Sequence, residues 1–218
     1  MKIYVDTADI DRIAEIAELG ILDGVTTNPS LVAETENTYR AVVEEISDTV
    51  DVPVFAQVIA EDAANILREA REYQQWDADV ILKIPATRDG FIALSRARAD
   101  DIPAGTTVVF SVEQAVLAAK NDASFVAPYV GRLDDAGADG VATVRRIQAV
   151  YDEYGFETEV LGASIRNTTQ AVALYDACID AVTMAPDVLE SHVSHAKTEE
   201  GVAGFDAAWG DRGSPVDE

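Results

Sequence analysis

Cysteine, histidine, lysine and long apolar runs are all scarce in this 218-residue chain. The lone Cys178 excludes an internal disulfide and any multi-cysteine zinc site, and its apolar neighbours predict a place in the core. His192 and His195 stand three residues apart with no glutamate in a zincin arrangement, so both read as surface or helix-end residues. No apolar stretch approaches the roughly 18 residues of a membrane span. The N-terminus lacks the basic-then-apolar pattern of a secretory signal, so a cytoplasmic location away from membranes is expected. Neither G-x-G-x-x-G after a first strand nor G-x-x-x-x-G-K-[ST] occurs, and the dinucleotide and P-loop readings lose support. Bases are outnumbered 16 to 40, a formal net charge of −24, which argues against nucleic acid and anionic lipid as partners.

Apolar residues make up 48% of the chain, and the acids are spread between periodic apolar segments, as in a globule and unlike an acidic disordered tail. Short β-branched runs are expected as strands at 2–6, 25–30 (with its exit loop), 53–58, 80–85, 106–110, 125–130, 159–164 and 181–186. Helical periods follow each of them, while 131–140, rich in glycine and aspartate, reads as a loop. Eight alternations imply right-handed βαβ units, and eight units in one short chain favour a closed (β/α)8 TIM barrel over an open doubly wound sheet. The expectation is one barrel domain over 1–209, with an extra C-terminal helix at 199–209 and a flexible tail at 210–218.

The stretch Val80-Ile81-Leu82-Lys83-Ile84-Pro85 carries the chemistry. It reads as a strand buried on both faces, and a lysine inside it loses water. Desolvation favours the neutral amine, the form that attacks a carbonyl to make a Schiff base. The competing reading has Lys83 at a strand end, snorkelling to solvent. In a barrel the C-terminal strand ends build the active site, which would gather Asp6, Thr26, Asn28, Gln57, Thr107, Tyr129 and Ser164 around Lys83. Arg132 and Arg166, one step beyond strands six and seven, suit a phosphate, although Asp134 and Asp135 beside Arg132 offer it surface partners. The Asp134–Gly140 acids lack calcium-loop spacing and read as a solvated turn, and Trp76 and Trp209 read as packing residues.

Seven segments together resemble the small transaldolase family, which includes transaldolases and fructose-6-phosphate aldolases. They are YVDTAD (4–9), GVTTNPSL (24–31), ILKIPAT (81–87), TVVFSVEQA (107–115), APYVGRLDD (127–135), GASIR (162–166) and VTMAPDVL (182–189). The resemblance implies a class I aldolase barrel with no metal and no cofactor. It implies Lys83 as the Schiff-base lysine, with Asp6, Asn28, Thr107, Arg132, Ser164 and Arg166 at active-site positions. It also implies sugar phosphate substrates and a homo-oligomer, a decamer built from two pentamers, with the C-terminal helix reaching a neighbour. Transaldolases of the family carry glutamate, serine and phenylalanine where this chain has Gln57, Ala127 and Tyr129, and fructose-6-phosphate aldolases carry the set found here. Elsewhere the chain is closer to the small transaldolases, and Arg166 replaces the aldolases' lysine.

By this resemblance Lys83, Asp6, Tyr129, Gln57 and Thr107 are the catalytic set, and Asn28, Thr26, Arg132, Ser164 and Arg166 bind substrate. The implied reaction is cleavage of fructose 6-phosphate to dihydroxyacetone and glyceraldehyde 3-phosphate. Two alternatives stay open: a transaldolase with the same chemistry and a sugar acceptor, and a catalytically idle barrel that binds a sugar phosphate or serves as an assembly subunit.

So acidic a surface repels itself at low ionic strength, and salt screens that repulsion. The melting temperature should therefore climb steadily from dilute buffer to molar potassium chloride; a flat response in calorimetry would refute a protein suited to concentrated salt.

Overall fold

The computed structural model of the protein describes residues 1–210 and 212. Eight parallel strands, β1 (Lys2–Asp6), β2 (Gly24–Thr26), β3 (Val54–Gln57), β4 (Val80–Pro85), β5 (Ala104–Val109), β6 (Phe125–Pro128), β7 (Glu159–Ile165) and β8 (Ala181–Met184), pair in chain order, and β8 closes on β1. Helix α1 (Ile10–Ala17) follows β1, and α2 (Pro29–Ala33) and α3 (Tyr39–Thr49) follow β2. After β3, β4 and β5 come α4 (Ala63–Tyr73), α5 (Arg88–Ala99) and α6 (Val112–Lys120). After β6 come α7 (Val130–Asp135) and α8 (Gly140–Tyr154), and after β7 α9 (Thr168–Tyr175). The chain continues past β8 through α10 (Pro186–Glu190) and α11 (Ala196–Trp209). The fold is a (β/α)8 TIM barrel with an added C-terminal helix.

Local chemistry starts the helices on time. Asp9, Thr38, Asp62, Thr87, Ser111, Asp139 and Asn167 each accept a hydrogen bond from a first-turn N–H, a contact worth about 1 kcal/mol apiece. Asp9, Asp62, Thr87, Ser111 and Asn167 end the short loops that leave the strand tops, so those strand ends are held by stiff connections; Thr38 and Asp139 start helices that follow α2 and α7.

Alternation along the strands sorts the apolar residues into two cores. Outward-facing Val5, Val25, Leu82, Ile84, Val126 and Val182 pack against the helices through residues such as Ile13, Ile46, Ile66 and Ile147. Inward-facing Tyr4, Phe55, Phe125 and Leu161 fill the lumen with Ile81. Tyr4 and Phe55 lie 4.9 Å apart between ring centroids, and Phe55 and Phe125 meet edge-on at 5.2 Å. This aromatic stack floors the upper half of the barrel and keeps that half in apolar surroundings.

Four expectations need correction. Residues 131–140 are not all loop: Val130–Asp135 form α7, whose buried Val130 and Leu133 sit three apart, a period too short to read in so brief a segment. Cys178 lies in the turn after α9, exposed and at φ +53°, because Ile179 takes the buried place beside it. Trp76 packs as expected, stacked on Tyr73, but Trp209 is 47% exposed on a helix that buries no residue. The exit loop expected through residue 30 ends at Asn28, whose side chain caps α2 from Pro29 onward. The tail expected from 210 lies outside the described residues except for Gly210 and Arg212.

Gly105 stands beside Lys83 in the β4–β5 register, and a Cβ there would run into the ring of Phe125. Gly105→Ala should therefore destabilise the barrel by about 1–3 kcal/mol, the usual cost of overpacking, measurable as an earlier midpoint in urea.

Candidate active site

One cavity opens at the C-terminal end of the barrel, above the aromatic floor. Lys83 reaches it from β4, where inward alternation from Ile81 aims the side chain into the lumen. It is 5% exposed, and among the described residues its side chain forms no salt bridge or hydrogen bond. The reading in which it snorkels to solvent is thereby overturned. Burial lowers the pKa of its ammonium below the ordinary lysine value of 10.5, and the negative charge of Asp6 partly opposes that. The neutral, nucleophilic amine is thus more abundant near neutral pH than on a surface lysine.

Asp6, at the end of β1, accepts a 2.7 Å hydrogen bond from Thr26 Oγ1 of β2, and Thr26 meets Thr183 Oγ1 of β8 at 2.7 Å. On the opposite wall Thr107 Oγ1 lies 3.1 Å from the Tyr129 hydroxyl. Burial raises the pKa of that phenol; the hydrogen bond with Thr107 opposes it, and the charges of Asp6 (raising) and Arg132 (lowering) add smaller contributions, so Tyr129 stays protonated and can donate. The Arg132 guanidinium sits 5.0 Å from the centre of the Tyr129 ring. Asn28 caps α2: its Oδ1 accepts from the N–H groups of Ser30 (3.0 Å) and Leu31 (3.2 Å). With that oxygen committed, only its amide NH2 can be offered to the cavity it lines.

Two β-bulges build the wall made by β5 to β7. Between Thr106 and Val109, and again between Gly162 and Ile165, one strand carries an extra residue relative to its neighbour. The extra residues, Val108 and Ser164, adopt φ +57°. In a regular strand Ala163 and Ser164 would face opposite ways; the bulge lets both line the cavity. Gly131 lets α7 lie close against this wall, since a Cβ there would strike Ser164 O and the Arg166 side chain. That approach sets Arg132 at the cavity rim.

The structure thus brings Asp6, Thr26, Asn28, Lys83, Thr107, Tyr129, Arg132 and Ser164 around one space. Two expected members stand apart. Gln57 is in register with Lys83 but lines a separate depression with Pro29, Pro85 and Thr87. Its backbone N–H donates to the Tyr39 hydroxyl at 2.6 Å. Arg166 is turned outward to Asp135 at 3.1 Å, both largely exposed. Of the two arginines it is Arg166, rather than Arg132, that takes a surface acid. Ala127, which the sequence marked only as a branch position, lines the cavity too, and so do Thr183, Leu161 and Ala163, which it did not mark. Thr183 lies two residues inside its strand end, and only its even spacing from Ala181 could have marked it as inward-facing.

A family model described as Transaldolase/Fructose-6-phosphate aldolase matches residues 3–212. A "Probable transaldolase" of Methanococcus maripaludis strain C5 is 42% identical over 96% of this chain and 97% of that protein. A "Probable transaldolase" of Ruegeria sp. strain TM1040 is 43% identical over 94% of each. Among solved structures, thiamine phosphate pyrophosphorylase from Pyrococcus furiosus aligns with a TM-score of 0.55 at 19% identity over 84% of this chain and 85% of that one. That last likeness concerns the fold alone.

A lysine buried without a counter-ion destabilises the native state while it is charged. Its folded-state pKa is lowered, so the unfolded chain binds the proton more tightly, and stability rises with pH as the ordinary value of 10.5 is approached. Lys83→Met should accordingly melt higher than the parent at neutral pH, by about 2–4 °C per kcal/mol relieved. The gap should narrow toward pH 10, and calorimetry on both proteins checks the sign.

Proposed function

The chain belongs to the transaldolase/fructose-6-phosphate aldolase family, and from that premise we propose that it is a Schiff-base aldolase that cleaves fructose 6-phosphate to dihydroxyacetone and glyceraldehyde 3-phosphate and runs the reverse addition. The observation that carries the reading is Lys83, an uncompensated buried amine facing the protonated phenol of Tyr129 across one cavity.

In this reading Lys83 Nζ adds to the C2 carbonyl, and Asp6 passes the proton that lets the carbinolamine oxygen leave as water. The resulting iminium withdraws electrons as the C4 hydroxyl loses its proton and the C3–C4 bond breaks. Glyceraldehyde 3-phosphate departs, the enamine is protonated at C3, and water hydrolyses the imine to release dihydroxyacetone. The proton leaving the C4 hydroxyl goes to a water held between Tyr129, Gln57 and Thr107; Tyr129, oriented by Thr107, gives its phenolic proton to C3 of the enamine and regains one from that water. Gln57 completes the aldolase set; from its place beside Lys83 it would position a water after a side-chain rotation. Arg132 and Ser164 receive the phosphate. Arg166 would join them on exchanging Asp135 for the substrate, and Asn28 and Thr26 hold hydroxyl groups. No residue in this scheme needs a metal or an organic cofactor.

The names of the relatives favour a second reading, a transaldolase that keeps the same enamine for a sugar phosphate acceptor. The aldolase reading rests on Gln57, Ala127 and Tyr129, since a protonated phenol beside neutral groups can protonate the enamine and free it. We also propose a homo-oligomer: α11 buries none of its residues and exposes Val202 and Phe205 on successive turns, a surface fitted to a second copy of this chain.

With fructose 6-phosphate alone, the aldolase should release glyceraldehyde 3-phosphate steadily, and erythrose 4-phosphate should add little; a reaction that starts only with the acceptor identifies the transaldolase. Tyr129→Phe should lower cleavage about 10- to 1,000-fold relative to transfer, within the range of general acid–base contributions. An unchanged ratio would remove the case for the aldolase branch.

A further inference from the structure

Taking the Schiff-base reading as given, we propose that Thr183 is a positioning residue: it donates its hydroxyl proton to Thr26 and thereby commits the Thr26 hydroxyl to Asp6.

Thr26 Oγ1 lies 2.7 Å from Asp6 Oδ1 and 2.7 Å from Thr183 Oγ1. A hydroxyl has one proton to donate and two lone pairs to accept with, while an ionised carboxylate only accepts. The single proton of Thr26 therefore goes to Asp6, and the Thr183 contact must run the other way, with Thr183 as donor. The chain Thr183 to Thr26 to Asp6 has one direction, and each bond polarises the next. Both hydroxyls are buried, so bulk water does not compete for them.

The arrangement is specific to the barrel. Thr26 is on β2 and Thr183 on β8, and β1, which carries Asp6, lies between them. Their hydroxyls meet in front of β1, where closure turns the inward-facing side chains of non-adjacent strands toward one another. Asp6 is half-buried, and the only hydrogen bond to its carboxylate among the described residues comes from Thr26. Without Thr183, the Thr26 hydroxyl could rotate away from Asp6 toward the cavity or toward a bound substrate. The Asp6 carboxylate would then lose the one group that fixes its orientation toward Lys83 and the departing oxygen. Among the described residues Thr183 makes no hydrogen bond to Asp6 and reaches it through Thr26, so its effect is on the steps that Asp6 serves, formation and hydrolysis of the imine.

Two substitutions separate the hydroxyl from the methyl. Thr183→Val keeps the shape of the side chain and removes the donor. Thr183→Ser keeps the donor and removes a methyl. The direct readout is the rate at which dihydroxyacetone with cyanoborohydride adds a reduced adduct to Lys83, followed by peptide mass. Expected is a slowing of about three- to ten-fold in Thr183→Val, the range a single neutral hydrogen bond carries, and trapping within about two-fold of the parent in Thr183→Ser. Turnover should follow through kcat, with KM for the ketose little changed. A packing role gives the reverse order, with Thr183→Ser impaired and Thr183→Val normal, and that result or equal behaviour of the two overturns the proposal. Thr183→Ala, made in parallel, must show the same slowing as Thr183→Val and stands in for it if the valine variant does not fold. If the parent protein itself yields no adduct on Lys83, the Schiff-base reading fails, and that failure is distinct from any ordering of the variants.

Discussion

Desolvation of one amine is the constraint around which the upper half of this barrel is arranged. Lys83 sits in apolar surroundings with no carboxylate in contact, and holding an ammonium there costs on the order of several kcal/mol. The molecule meets that cost by leaning toward the neutral form. The same physics that weakens the fold at this point makes the nitrogen reactive, a familiar tension between stability and activity. Asp6 is close enough to oppose the shift electrostatically and is held away from a direct ion pair, with its carboxylate tied to Thr26 instead. A salt bridge at Lys83 would have favoured the charged form of the amine.

The lumen is layered to maintain that state. Tyr4, Phe55 and Phe125 close the space from below, so water reaches Lys83 only from the mouth. Small side chains, Ala127 and Ala163, then leave room for a substrate, and polar groups ring the rim. Gly105 has no side chain where Phe125 needs its ring, so the floor and the lysine share one level of the barrel.

The wall from β5 to β7 shows what the site demands of the backbone. Val108 is β-branched and Ser164 is not glycine, yet both hold left-handed φ values, each costing of order 1–3 kcal/mol. The bulges they occupy change the inward–outward alternation just where Thr107, Tyr129 and Ser164 are presented. Strain of this kind persists because the packed strands on either side over-determine it.

The primary structure alone determined the class of fold and marked Lys83 as the candidate at the centre of the site. Eight alternations of pattern are a local property of the chain, and a lysine inside an apolar strand pattern is a local signal too; whether its amine was buried or snorkelled to solvent was decided only by the structure. Polar residues at strand ends were legible for the same reason. Only the tertiary structure decided which of them share a space. Gln57 and Arg166 have the right types at the right strand ends and face elsewhere, because a half-rotation of a side chain and one exposed aspartate are enough to turn them. Thr183 was invisible because its partners lie on strands joined to it only by closure of the barrel. Bulges, the short α7 and the exposed Cys178 escaped for a related reason: each depends on one extra or one displaced residue, below the resolution of any periodic pattern. Periodicity reports which face a residue takes; contacts between residues far apart in the chain are set by closure, and closure leaves no mark in local order.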